Sequence, residues 1–121
     1  MQRREIMRFE FKEQKEKAKA SKCFTKQGVS DNAYCVKYYL HKKKTTSDNY
    51  DQIAHGELYV LRDSVVDKAA KRLISGRCGY IDILMDDTSN EVVCCLRDER
   101  IMVSEYVWFD KNELLKLMET K

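Results

Sequence analysis

Three stretches near the C-terminus, YIDILM (80–85), EVVCCL (91–96) and IMVSEYVWF (101–109), are separated only by the short polar links DDTSN and RDER. Each is a short apolar and aromatic run bounded by polar turn residues, the pattern of a strand. Links this short predict consecutive antiparallel neighbours. Pairing Met85 with Val92 across the first link and Leu96 with Ile101 across the second sets a register in which Cys94 opposes Val103 and Cys95 opposes Met102. One face then collects Ile81, Ile83, Met85, Val92, Cys94, Leu96, Ile101, Val103 and Val107, broken only by Glu105. The other collects Tyr80, Asp82, Leu84, Val93, Cys95, Arg97, Met102, Ser104, Tyr106 and Trp108. The first reads as a core face. Adjacent strand residues point to opposite sides, so Cys94 and Cys95 are expected to be structural residues rather than bonded partners.

Upstream, AYCVKYYLHKKK alternates so that Tyr34, Val36, Tyr38 and Leu40 share a side, and residues 53–61 return as a second strand after the turn TTSDNYD. DSVVDKAAKRLISG predicts a helix: Ser64 caps it, Asp67 completes a capping box, and Val65, Val66, Ala69, Ala70 and Leu73 form its apolar stripe. Asp110 and Glu113 open a C-terminal helix, with Phe109 stapled onto Leu114. KEQKEKAKASK (12–22) favours a solvated helix, CFTKQGVSDN (23–32) a loop, and the stretch IMRFEF before them a helix by the spacing of Ile6 and Phe9. The element order is therefore α-β-β-α-β-β-β-α: an α+β fold with an antiparallel sheet of about five strands and helices packed mainly on one face. The chain is of ordinary single-domain length, so 1–121 is read as one domain with 1–22 as a peripheral N-terminal helix.

The charge is uneven. Residues 1–60 hold 13 Lys+Arg against 8 Asp+Glu, a net +5, and residues 61–121 hold 10 against 12, a net −2. A basic first half suits an acidic or nucleoprotein target. Five cysteines without a C-x-x-C pair fit reduced thiols in a cytoplasmic protein better than a secreted disulfide framework. Charges interrupt the N-terminal MQRREIMRFEF, which predicts no secretory signal, and no apolar run is long enough to predict a membrane span.

Two surfaces stand out. Tyr80, Arg97, Met102, Tyr106 and Trp108 mix aromatic, methionine and arginine side chains, the make-up of protein interfaces. That face predicts a protein partner, self-association through the same face, or coverage by Ile6, Phe9 and Phe11. Lys37, Tyr39 and Lys42, Lys43 and Lys44 place a stacking ring among cations, as single-stranded nucleic acid requires. Catalytic signals are sparse: His41 and His55 lie on neighbouring strands, and Cys35 with His55 is a pair only the fold can assemble. Asp82, Asp86 and Asp87, with Asp98, read as an acidic hairpin tip rather than a cation site, and the scattered glycines make no phosphate loop. The expectation is a non-catalytic binding protein without metal or cofactor, acting by occupying a protein partner's surface. A basic nucleic-acid-binding accessory protein is the alternative, and a small Cys/His enzyme or ligand binder the third. In its small size and Lys/Glu-rich make-up the chain resembles phage- or mobile-element-borne inhibitors such as anti-CRISPR proteins, in style only and through no shared motif.

Overall fold

A computed structural model describes residues 17–69, 71, 79–98 and 104–118. In chain order these form α1 (Ala20–Cys23), β1 (Phe24–Thr25), β2 (Ala33–Lys43), β3 (Tyr50–Leu61), α2 (Val65–Ala69), β4 (Gly79–Met85), β5 (Glu91–Asp98), β6 (Ser104–Asp110) and α3 (Lys111–Met118). The fold is α+β, with a 6-stranded sheet ordered β1-β3-β2-β4-β5-β6. The sheet is mixed: β2 and β4 run parallel, whereas all other described pairs are antiparallel. This corrects the expectation of an antiparallel sheet of about five strands. Alternation reports which face a side chain takes, and it is silent on whether a neighbour runs up or down. Beyond that, β1 is too short to leave a pattern of its own.

The register of β4 on β5 runs from Gly79 opposite Asp98 to Leu84 opposite Val93. It is the register that pairing Met85 with Val92 predicts. Between β5 and β6 the pairing differs: Cys94 opposes Val107 and Cys95 opposes Tyr106, rather than Val103 and Met102. The expected tight link fails because Arg97 and Asp98 remain in the strand. The slip is four residues, an even number, so every side chain keeps its face. Residues 99–103, including Met102, lie outside the described residues.

One sheet face carries the larger core. Val36, Tyr38, Leu40, Leu58, Val60, Ile81, Ile83, Val92, Cys94, Leu96, Val107 and Phe109 are buried there with Phe24. Ala20 and Cys23 of α1, Val66 of α2 and Leu114 of α3 close over them. The described helices thus contribute their buried residues to this core. Val65 leaves the anticipated stripe, being 56% exposed, and Val66 takes the buried position. The N-terminal stretch also differs. Residues 17–19 are not helical; Ala18 bridges Phe109 in parallel and its N–H donates to the Trp108 carbonyl at 2.8 Å. The six-residue stretch IMRFEF lies outside the described residues.

Both caps form, each with an altered second half. The Asp67 N–H donates to Ser64 Oγ (3.2 Å), but the Asp67 carboxylate accepts from the Asp63 N–H (2.9 Å), one residue earlier than in a capping box. Asp63 adopts a left-handed φ of 67°, which short polar side chains tolerate. The Glu113 N–H donates to Asp110 Oδ2 (3.1 Å), and the Glu113 carboxylate turns to the N–H of Ala20 (3.1 Å). That contact ties the start of α1 to the first turn of α3.

Candidate functional site

The other sheet face is built in rows, because residues opposite one another in a ladder share a side. One row reads Glu57, Lys37, Tyr80, Arg97, Ser104. The next reads His55, Tyr39, Asp82, Cys95, Tyr106, and the third Gln52, His41, Leu84, Val93, Trp108. No described helix packs on this face.

Its two ends differ. Toward β6, Leu84, Val93, Cys95 and Trp108 form a second, smaller buried cluster, with Tyr50 and Tyr106 against it. Trp108 is only 3% exposed and Cys95 0%. Complete burial withholds the Cys95 thiol from reagents in solution. Cys94 is equally buried on the core side, and burial, with the neighbouring Cys95 and Cys23 thiols adding to it, pushes its thiol well above the usual range. Toward β3 the face opens. Lys37, Cys35, His55 and Glu57 are exposed, and Tyr39 and Tyr80 are half-buried. The Tyr39 and Tyr80 rings meet edge to face, 5.7 Å between centroids.

Between the two ends lies a charged relay. Asp82 Oδ1 is 2.9 Å from His41 Nε2, and Asp82 Oδ2 is 2.8 Å from Arg97 Nε. All three side chains keep about a fifth of their surface open: 21% for His41, 18% for Asp82 and 24% for Arg97. An aspartate in mid-strand is disfavoured without partners, and here it has a cation on one side and an imidazole on the other.

The two surfaces read from the sequence are therefore redistributed. Tyr80 and Arg97, expected as partner anchors, join Lys37 and Tyr39, expected as nucleic-acid contacts, in one patch. Tyr106 and Trp108 belong to the separate packed end. The hairpin-tip lysines each hold a carboxylate: Lys42 with Asp87 (3.2 Å), Lys43 with Asp48 (3.7 Å) and Lys44 with Asp51 (3.6 Å). These are surface pairs that give the hairpin tip a rim of mixed sign. Asp86 accepts from the N–H and hydroxyl of Thr88 (2.9 and 3.0 Å), an ordinary turn. Asp82, Asp86 and Asp87 thus have separate partners: His41 and Arg97 for the first, Thr88 for the second and Lys42 for the third.

Cys35 and His55 are not brought together. Cys35 opposes Tyr59, while His55 opposes Tyr39, four residues along β2. The Cys35 thiol is also raised, first by desolvation and then by the Glu57 charge, which opposes thiolate formation. The relay of His41, Asp82 and Arg97 was absent from the sequence reading. The available signal was Asp82 itself, a lone acid in an apolar alternation that needed a cation across the sheet. The chain matches no family model, and no curated protein or solved structure is detectably similar to it.

Proposed function

We propose that this chain is a binding protein whose contact surface is the open half of the helix-free sheet face, and that the partner is a single-stranded nucleic acid. The observation carrying this reading is the half-exposed Tyr39–Tyr80 pair with Lys37 and Arg97 in the same patch. Aromatic rings on a sheet offer a platform for bases, and each stacked base is worth roughly 1–3 kcal/mol. Adjacent cations neutralise phosphates, which makes affinity fall with salt.

A second reading has an observation of its own. Tyr80 beside Arg97 is also protein-interface composition, so the same patch suits an inhibitor that occupies a protein partner's surface. Its intended central anchor is weaker than the sequence suggests, because Trp108 is packed inside the chain.

Fluorescence anisotropy with a labelled single-stranded RNA oligonucleotide, repeated across salt concentrations, separates the two. Binding that weakens with salt and is lost by about tenfold or more in Tyr39→Ala supports the nucleic-acid reading. No RNA or DNA binding, together with a host protein whose capture is abolished by Tyr80→Ala, would transfer the assignment to the protein partner.

A further inference from the structure

We propose that the same patch cleaves single-stranded RNA by acid–base catalysis, with His41 as the general base and His55 as the general acid. The proposal rests on the nucleic-acid reading above and goes beyond it from binding to chemistry.

The ladder places both imidazoles on one face. His55 opposes Tyr39, and His41 lies two residues beyond Tyr39 on the same strand. The ladder bulges between Leu40 and His41, so His41 opposes Gln52, and the two histidines sit on adjacent strands on either side of the bulge. His55 is exposed and His41 is partly so. A phosphodiester lying across Tyr39 would have one imidazole on each side.

Asp82 assigns the roles. Its carboxylate accepts from His41 Nε2 at 2.9 Å, while Arg97 balances its charge from the other side. The neutral ring must therefore carry its hydrogen on Nε2, which leaves the lone pair on Nδ1. An imidazole held in one tautomer by a carboxylate is the usual form of a histidine base. Lys37 opposes Tyr80 on the neighbouring strand and is exposed, so its ammonium is available to the charge that grows on the phosphorus oxygens. The Tyr39–Tyr80 pair holds the flanking base.

The step balances without a further reactant. His41 Nδ1 takes the proton of the ribose 2′-hydroxyl, and the 2′-oxygen forms a bond to phosphorus. The bond from phosphorus to the 5′-oxygen breaks, and protonated His55 gives that oxygen its proton. The products are a 2′,3′-cyclic phosphate and a 5′-hydroxyl. The attacking group exists only in RNA, so DNA is bound but not cut.

The test uses the full chain, a labelled single-stranded RNA oligonucleotide of mixed sequence, a chelator, and the deoxy strand of the same sequence as control. The expected result is cleavage of RNA to cyclic-phosphate ends and an intact DNA strand. His41→Gln and His55→Gln should each lower the rate by about a hundredfold or more with little change in RNA affinity. His55 lies on an exposed stretch of β3, so His55→Gln tests the assignment even where His41→Gln perturbs the relay, and circular dichroism checks that both fold. RNA that is bound but never cut overturns this inference and leaves the binding reading standing. Cleavage that survives both substitutions also overturns it. Failure to bind RNA at all removes both.

Discussion

At the scale of single residues, two positions report on how tightly the core face is made. A side chain added at Gly56 would place its Cβ 2.9 Å from both Cε2 and Oη of Tyr38, the residue directly opposite on β2. Tyr38 is itself buried in the larger core, so its ring has little room to give way. Gly56→Ala is expected to lower stability by about 1–3 kcal/mol, read from urea unfolding. Asp67 is the second position. Burial raises its carboxyl, but the N–H of Asp63, the hydroxyl of Tyr34 (2.7 Å) and the charges of Lys71 and Arg62 outweigh that and leave it below the ordinary value. A carboxyl depressed on folding stabilises the protein above its unfolded pKa, about 3.9, and the contribution is lost as pH falls through the lower folded value. Tyr34→Phe removes one of the stabilising donors. Its stability should therefore fall less steeply with acid than that of the wild type, and be lower by about 1–3 kcal/mol near neutrality. Equal acid slopes in the two proteins would show that Tyr34 does not tune this carboxylate.

At the scale of elements, α3 is held at both ends of its first turn. Asp110 caps it, and Leu114 is fully buried among core residues that include Phe109. Asp110→Ala should cost about 1 kcal/mol and Leu114→Ala about 2–5 kcal/mol, since one removes a cap and the other leaves a cavity. The larger effect in Leu114→Ala is the discriminating result; equal losses would mean that α3 is not packed on the sheet. This helix start was legible because capping is local: Asp110 and Glu113 lie within one turn. The strands were legible by face for the same kind of reason. Cys94 and Cys95 had to diverge in any strand, whatever its partner. Register was less secure. The β5–β6 pairing depended on how many residues the link consumes, and Arg97 and Asp98 stayed in the ladder. The helix expected over 12–22 failed at 17–19, where a backbone hydrogen bond to β6 outweighs good helix propensity.

At the scale of the whole molecule, the sheet divides labour between its faces. One is closed by α1, α2 and α3, and the other is packed at its β6 end and open at its β3 end. The parallel joining of β2 to β4 produces this arrangement. It sets Tyr39 beside Asp82 and Lys37 beside Tyr80, although these pairs lie 43 residues apart in the chain. No local pattern encodes such a juxtaposition. The candidate site was therefore visible in the sequence only as two separate lists of residues, and its histidine–aspartate–arginine relay only as one unexplained acid, Asp82. That open half is the proposed contact surface. Backbone amide NMR shifts during titration with single-stranded RNA test it most directly. Shifts confined to Lys37, Tyr39, His41, His55, Tyr80 and Arg97 are the predicted result. Shifts centred on the helices, or none at saturating RNA, would contradict it.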